Sequence, residues 1–288
     1  MRSDLHCHTT LSDGYHTLPQ VIQMALQNNM DYLAITDHET FRGYEYACQL
    51  AQGTPLHIIK GCELSCKDPD TGRFVHILVY LPKVMDELNA LCAATTKKRQ
   101  DSGFAMLQKV AQMYPIDRAA VLNAALQSEC IYKTHIMHQL ADQGLCPADY
   151  RQTFGQLLSP TGSCFVPIDY PSVYDVLPIA HRSGGVVVLA HPSVYKSMEL
   201  AKKLAYNNMV DGIEINHPRN LPQDKQQLVT YAADNHLIIT GGTDYHGHFE
   251  WDVPIGTGLT EDNMIKQIFQ KAEEKQHDLF VQDKRNLF

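Results

Sequence analysis

The segment His6-Cys7-His8 places two histidines two positions apart in a short apolar run. Side chains alternate between the two faces of a β-strand, so His6 and His8 share one face and Cys7 points to the other. Two imidazoles on one face are able to bind one metal ion. The pair alone is weak evidence, because structural histidines in strands have the same spacing.

Other histidines and carboxylates follow or lie within further apolar runs. They occur in Leu11-Ser12-Asp13-Gly14, Thr36-Asp37-His38, Cys62-Glu63, His76, Ala190-His191-Pro192 and Thr243-Asp244-Tyr245-His246. Uncompensated buried charge is costly, so such a convergence has no simple structural explanation. Imidazole and carboxylate together are ligands for Zn²⁺, Mn²⁺ or Fe²⁺. The pattern therefore predicts a metal site.

Seven predicted strands position these residues. They are Asp4 to His8, Tyr32 to Thr36, His57 to Cys62, Val75 to Tyr80, Val186 to Ala190, Gly212 to Asn216 and Leu237 to Gly241. Amphipathic helices alternate with them, which is typical of parallel α/β folds. In α/β barrels the active site lies at the C-terminal ends of the strands, where most of the candidate ligands fall.

The alternation stops between Pro82 and Phe165, where the sequence reads as helical throughout. We predict a barrel formed by residues 1–81 and 166–288, and a small helical insertion formed by residues 82–165 that contributes to substrate binding. Within the insertion, Met85 to Met113 is either one long helix or two. The basic run Lys97-Lys98-Arg99 is predicted to lie on a solvated helix face.

Composition narrows the class of protein. Hydrophobic residues make up 44% of the 288 residues and charged residues 19%, which excludes disorder as the main state. The formal charge of -8 argues against coating of long nucleic acid by charge alone. No apolar run is long enough for a transmembrane helix, and no signal-peptide pattern is present. We expect a cytoplasmic protein whose eight cysteines are reduced thiols, with no membrane partner and no obligate protein partner.

Together, these motifs resemble those of the PHP (polymerase and histidinol phosphatase) family of metal-dependent phosphoesterases. The resemblance covers roughly residues 1–81 and 166–260 and implies a distorted (β/α)7 barrel of the α/β class. It also implies three divalent ions per chain, which could be Mn, Fe or Zn. The first ion would take His6, His8, Glu63 and Asp244, and the second would share Glu63 and take His76 and His191. The third would take Asp13, His38 and His246.

The insertion resembles that of one branch of the family, the phosphatases that act on AMP and nucleoside 3',5'-bisphosphates. Where that branch has Arg-Pro-His followed by Ile or Val, this chain has Lys133-Thr134-His135-Ile136. Lysine keeps the charge but lacks the two-pronged geometry of arginine. We expect substrate binding by Lys133 and His135, and also by Arg182 and Arg219.

The expected reaction is hydrolysis of a phosphomonoester, most simply of a nucleotide, by metal-bound hydroxide at a trinuclear site. His191 and Asp37 are the candidates for a direct catalytic role. Asp37 either supports a ligand or shuttles a proton, or it caps the following helix.

Three alternatives remain open from the sequence. A 5'-3' exonuclease on short RNA or DNA would use the same chemistry, and histidinol phosphate phosphatase is a further option within the family. A non-catalytic metal-binding module is the third, although no ligand position of the motif set is missing.

Overall fold

The computed structural model describes residues 1–146, 149–247 and 253–285. Its seven strands are β1 (Ser3–Cys7), β2 (Tyr32–Ile35), β3 (His57–Lys67), β4 (Phe74–Tyr80), β5 (Val186–Leu189), β6 (Gly212–Asn216) and β7 (Ile238–Gly241). The helices of the barrel are α1 (Leu18–Gln27), α2 (Tyr44–Ala51), α7 (Val173–Arg182), α8 (Met198–Tyr206), α9 (Pro222–Asp234) and α10 (Asp262–Arg285). Those of the insertion are α3 (Asp86–Met113), α4 (Arg118–Ala124), α5 (Lys133–Asp142) and α6 (Tyr150–Leu157).

The strands form one sheet in the order β1 to β7, which is the order of the chain. The pairs β1–β2, β2–β3, β5–β6 and β6–β7 are parallel, as the alternating pattern predicts. One strand departs from the parallel arrangement. Strand β4 is antiparallel to both β3 and β5, because a short connection rather than a crossover helix joins it to β3.

Strand β3 is also longer than predicted. It continues past Cys62 to Lys67, because the hairpin with β4 supplies hydrogen-bonding partners for the additional residues. Glu63 therefore lies inside the ladder, opposite Leu78, and not at a strand end. Since β4 runs in the reverse direction, His76 near its beginning reaches the edge of the sheet where the parallel strands end.

The sheet curls into a nearly closed barrel where β1 approaches the end of β7. The amide of Asp244 donates to the carbonyl of His6 at 2.8 Å, and the amide of His8 donates to the carbonyl of Tyr245 at 2.9 Å. Gly242 permits this approach, because a Cβ atom there would lie 2.2 Å from the Cβ of His6. Barrel closure thus brings the ligands that follow β7 next to those of β1.

Apolar side chains fill the barrel and cover its outer surface. Leu5, Ile59 and Tyr80 pack inside with Ile265 and Ile268 of α10. Helices α7, α8 and α9 cover the outside of the second half of the sheet, with β5 buried along its whole length. The polar ligand cluster therefore lies at the opposite end of the barrel from α10. Within the described residues, no helix has the length and apolar character needed to cross a membrane.

The helices α3 to α6 lie between β4 and β5, where the insertion is predicted. Residues Asp86–Met113 form one helix and not two. Its first part packs on the barrel through Leu88 and Cys92, and its second part joins a separate apolar cluster that includes Met106 and Val110. Helix α3 thus connects the two regions, and the insertion boundaries at residues 82 and 165 stay predictions.

The close approach at Gly242 predicts a stability effect. Gly242→Ala should lower the free energy of unfolding by about 1–3 kcal/mol, the usual range for overpacking a dense core. Gly155→Ala is the matched control, because Gly155 is exposed in α6 with no neighbouring atom in the way. Urea unfolding measures both. A Gly242→Ala variant as stable as Gly155→Ala would show that the barrel closes less tightly than described.

Candidate metal centre

The nine predicted ligands converge at the end of the barrel where the parallel strands finish. They come from β1 and its following loop, the end of β2, the middle of β3, the start of β4, and the segments after β5 and β7. The set is His6, His8, Asp13, His38, Glu63, His76, His191, Asp244 and His246.

Glu63 lies at the centre of this cluster, and its two carboxylate oxygens face different groups. Oε2 lies 3.2 Å from His6 Nε2 and 3.1 Å from His8 Nε2. Oε1 lies 2.7 Å from His76 Nδ1 and 2.9 Å from His191 Nε2. This division is the arrangement that a carboxylate bridging two ions requires.

Asp244 completes the group around Oε2. Its Oδ1 lies 3.4 Å from Nε2 of His6 and 3.4 Å from Nε2 of His8. One donor atom from each of His6, His8, Glu63 and Asp244 lies within 4.8 Å of all the others. The structure thus brings together the residues assigned by resemblance to the first ion.

A second group forms around Asp13, beside the first. Its Oδ1 lies 3.3 Å from His246 Nε2, and its Oδ2 lies 3.6 Å from His38 Nε2. His8 Nδ1 lies 3.4 Å from Asp13 Oδ1, so His8 stands between the two groups. This second group therefore contains all three residues assigned by resemblance to the third ion, namely Asp13, His38 and His246.

The residues fit divalent cations. His6 Nε2, His8 Nε2, His38 Nδ1 and His191 Nδ1 are buried and make no hydrogen bond with acceptable geometry to any described residue. Buried polar atoms without partners are rare in folded proteins, and bound ions are one explanation for them. Imidazole nitrogens facing carboxylates supply the donor set that Zn, Mn and Fe accept.

The electrostatics of the cluster favour ionised carboxylates. Burial alone would raise the pKa of Glu63, but the imidazoles of His76 and His6 hold it well below its usual value. The pKa of Asp244 is likewise lowered against burial, chiefly by His6 and His246. Burial lowers the pKa of His38 to about 4, which leaves this imidazole neutral. Anionic carboxylates and neutral imidazoles are the forms that bind metal ions.

Two of the ligands have unusual backbone conformations. His191 has φ of 25° and Asp244 has φ of 55°, in the left-handed region that residues with side chains rarely adopt. Such strain persists where the surroundings determine the conformation, and it is common at functional sites. The backbone conformation just after β5 and β7 therefore orients these two side chains.

Glu214 supports the cluster from β6 and was missed by the sequence reasoning. Its Oε1 lies 3.0 Å from His6 Nδ1, and its Oε2 accepts from the amide of His191 at 3.0 Å. His217 lies nearby, with Nε2 3.3 Å from Asp244 Oδ2. The available signal was an acidic residue between two isoleucines in a buried strand, Ile213-Glu214-Ile215.

Asp37 supports the segment that carries two ligands, which is one of the roles expected for it, and it does not cap the following helix. It accepts hydrogen bonds from the amide and hydroxyl of Thr9, at 2.7 and 2.8 Å, and from the hydroxyl of Ser12 at 2.5 Å. It is buried and does not line the active-site cavity, and α2 begins only at Tyr44. The carboxylate thus holds the loop that carries Asp13.

A cavity of about 560 Å³ separates the metal cluster from the helical insertion. Lys133 and Arg219 line it, as expected for substrate-binding residues. Arg219 lies beside the metal cluster, with Nη1 3.6 Å from Asp244 Oδ2. Arg99 lines it too, although a solvated position was predicted for this residue, which is only 8% exposed.

The structure does not bring His135 or Arg182 into the cavity. The Nδ1 atom of His135 accepts from the amide of Tyr132 at 3.1 Å and so caps α5. Arg182 lies at the C-terminal end of α7, before β5 begins, and pairs with exposed Glu87. That position is at the opposite end of the barrel from the ligands.

Lys133 lines the part of the cavity formed by aromatic residues of the insertion. Its Nζ lies 4.6 Å from the centre of the Phe165 ring and 5.8 Å from that of Phe154. Burial, with repulsion from Arg99, lowers the pKa of Lys133 to about 8, and no acidic group among the described residues offsets the shift. This part of the cavity is therefore suited to an anion.

Comparison with known proteins finds that residues 4–161 match the PHP domain model. Phosphoribosyl 1,2-cyclic phosphate 1,2-diphosphodiesterase of Eggerthella lenta is 34% identical over 251 residues, which are 86% of this chain and 95% of the relative. The crystal structure of a protein from Bifidobacterium adolescentis described as a metal-dependent phosphoesterase is similar to this one. It superposes with a TM-score of 0.85 at 28% identity, over 93% of this chain and 96% of that one.

Two further relatives have different substrates in their names. The 5'-3' exoribonuclease Rnm of Salmonella typhimurium is 27% identical over 285 residues, which are 95% of this chain and 94% of the relative. The 3',5'-nucleoside bisphosphate phosphatase of Chromobacterium violaceum is 26% identical over 268 residues, covering 88% of this chain and 90% of the relative. Phosphate-ester hydrolysis is what all these names share.

The position of Glu63 predicts the effect of Glu63→Gln. The substitution keeps the size of the side chain but removes the negative charge between the two groups of imidazoles. Metal analysis after dialysis should show loss of bound ions, and phosphate release should fall with it. Full metal content together with full activity in this variant would contradict a bridging role.

Asp13→Ala should have a narrower effect. Asp13 lies in a loop and faces His38 and His246, so its loss should remove about one ion per chain and strongly lower kcat. The fold should persist, as circular dichroism would show. An unchanged metal count in Asp13→Ala would reduce the centre to two ions.

Proposed function

Since this chain belongs to the PHP domain family and is a metal-dependent phosphoesterase, we propose that it hydrolyses a phosphate ester on a ribose that carries a second phosphate group. The proposed ligands are the nine residues of the metal cluster, divided among three ions as the family resemblance implies. Mn, Fe and Zn all suit this donor set.

One observation carries the choice of substrate, namely that the lining of the cavity offers two groups of residues suited to an anion. One group is the metal cluster with Arg219, and the other is Lys133 among Phe154 and Phe165. Tyr132 and Tyr170 also line the cavity. A small molecule with two phosphates and an intervening sugar would pair with both groups and place the sugar against aromatic rings.

Different side chains of the protein have different roles in such a reaction. Divalent ions, when bound, supply charge for the phosphoryl oxygens and activate a water for attack. Glu63 and Asp244 fix the positions of the ligand set around the reacting phosphate. Arg219 is close enough to the metal cluster to neutralise a phosphoryl oxygen. Lys133 orients the substrate by holding its other phosphate.

The names of two relatives are consistent with this substrate class. A phosphoribosyl 1,2-cyclic phosphate and a nucleoside 3',5'-bisphosphate each contain a ribose with two phosphate groups. AMP, with one phosphate, would leave Lys133 without an anion. We therefore favour a doubly phosphorylated substrate over AMP.

Exoribonuclease activity is the second candidate. It is favoured by the Salmonella relative, which aligns over nearly the whole chain. A short RNA carrying a 5'-phosphate would also present more than one phosphate to the cavity. The chain's net charge of -8 argues against tight binding of a long strand.

A phosphate-release screen with the Mn²⁺-loaded protein separates these candidates. The panel comprises phosphoribosyl 1,2-cyclic phosphate, a nucleoside 3',5'-bisphosphate, AMP, histidinol phosphate and a short 5'-phosphorylated RNA. Opening of the cyclic ester is read after a phosphomonoesterase treatment as the second phosphate released per molecule, because the unopened compound releases only one, and RNA shortening is read on a gel. We expect the highest kcat/KM for one of the first two compounds. Preference for AMP or histidinol phosphate would contradict the proposal.

Lys133→Met should impair doubly phosphorylated substrates selectively. The substitution removes the charge while nearly keeping the length of the side chain. Loss of a charge-assisted contact is worth about 1.5–3 kcal/mol, so KM should rise roughly 10- to 150-fold. An aryl phosphate, which carries no second phosphate, is the matched control substrate. Equal damage to both substrates would rule out a specificity role for Lys133.

The lowered pKa of Lys133 predicts a pH dependence of kcat/KM for the doubly phosphorylated substrate. The ammonium form holds the anion, and it is lost as pH rises through about 8. In the native protein, kcat/KM for the doubly phosphorylated substrate should therefore fall above about pH 8, relative to the aryl phosphate. Lys133→Met should lack this difference between the two substrates.

A further inference from the structure

Two loops of the barrel carry Asp13 and His38, and both are in contact with the helical insertion. Ligands of the other two ions have their supports within the barrel, for example Glu214 behind His6 and His191. The insertion therefore contacts both segments that carry Asp13 and His38, two ligands of the proposed third ion.

Tyr132, at the start of α5, contacts His38 in two ways. Its hydroxyl donates to the backbone carbonyl of His38 at 3.3 Å. Its ring also lies nearly parallel to the imidazole, with a centroid separation of 6.1 Å and an interplanar angle of 19°. Both the backbone and the side chain of this ligand are thus held by a residue of the insertion.

Arg99 of α3 holds the residue that follows His38. Its guanidinium is buried and pairs with the carboxylate of Glu39, and it also donates to Ser65 Oγ at 2.9 Å. The other Glu39 oxygen accepts from the Ser65 amide at 2.7 Å. Glu39 has φ of 53°, a conformation that needs support from its surroundings. The guanidinium lies 4.5 Å from the Tyr132 ring centre, so Arg99 and Tyr132 form one unit.

The loop that carries Asp13 is held by the same part of the insertion. Gln127 Oε1 accepts from the hydroxyl of Thr10 at 2.6 Å, and the carbonyl of Gln127 accepts from Arg42 at 2.8 Å. His135 lies next to the backbone of Ser12. Residues 127–135 therefore bridge the loop after β1 and the loop after β2.

We infer that the insertion positions the ligands of the third ion, with Arg99 and Tyr132 as the positioning residues. The inference rests on the three-ion centre proposed above. It assigns Arg99 a part other than substrate charge neutralisation, because Glu39 already neutralises its guanidinium. It also means that the insertion and the chemistry of the barrel are coupled through His38 and Glu39.

The test compares metal binding in variants of the full-length protein. The double variant Glu39→Gln/Arg99→Met removes both charges of the buried pair together and leaves neither one unpaired. Tyr132→Phe keeps the ring and removes only the hydrogen bond to His38. Lys98→Met is the matched control, because Lys98 is exposed one position from Arg99 and contacts Asp169. Mn²⁺ per chain is measured after dialysis, and Mn²⁺ affinities are measured by calorimetry.

We expect the native protein and Lys98→Met to hold three ions. The double variant should retain two ions and bind the third roughly 10- to 100-fold more weakly, the usual effect of losing support behind a metal ligand. Tyr132→Phe should lower the affinity for the same ion to a smaller degree. This variant tests the inference if the double variant fails to fold.

Unchanged affinity for three ions in Tyr132→Phe and the double variant would overturn the inference and leave the proposed function intact. Equal weakening of all ions would also overturn it, since that result indicates a general loss of structure. A native protein that holds only two ions would instead contradict the three-ion centre itself.

Discussion

The architecture of this protein depends on the burial of carboxylates among imidazoles at one end of a barrel. Glu63 and Asp244 are almost completely removed from solvent. A buried carboxylate is unfavourable unless cations and hydrogen bonds compensate it. Protonated imidazoles or divalent ions supply that compensation, and metal binding displaces the protons, so the cluster is suited to divalent ions. The strained backbone at His191 and Asp244 and the second layer formed by Glu214 serve the same arrangement.

The barrel and the insertion contribute different parts of the site. The barrel delivers ligands from many segments to one end, and the reversed direction of β4 adds His76 without a crossover helix. The insertion covers the cavity above these ligands, and Lys133 of the insertion lines the cavity. Through Tyr132 and Arg99 it also reaches the backbone around His38. A substrate that fills the cavity would therefore contact both regions at once.

Much of this arrangement could be predicted from the sequence, because it follows from local patterns. The spacing of His6 and His8 in a strand determines their common face, and apolar runs mark the strands that position the other ligands. The extension of β3 could not be predicted, since it depends on pairing with β4. Arg99 was predicted on the surface because it belongs to the basic run Lys97-Lys98-Arg99, of which only the two lysines are exposed. His135 and Arg182 have residue types suited to phosphate binding, but tertiary contacts place them elsewhere.

The central claim is that Glu63 links two ions beside a third that is held by Asp13. Anomalous diffraction from crystals grown with Mn²⁺ tests it most directly, because each ion gives a separate peak. The account predicts three peaks, one on each side of the Glu63 carboxylate and one between Asp13, His38 and His246. Fewer peaks, or a Glu63 carboxylate in contact with a single ion, would contradict it.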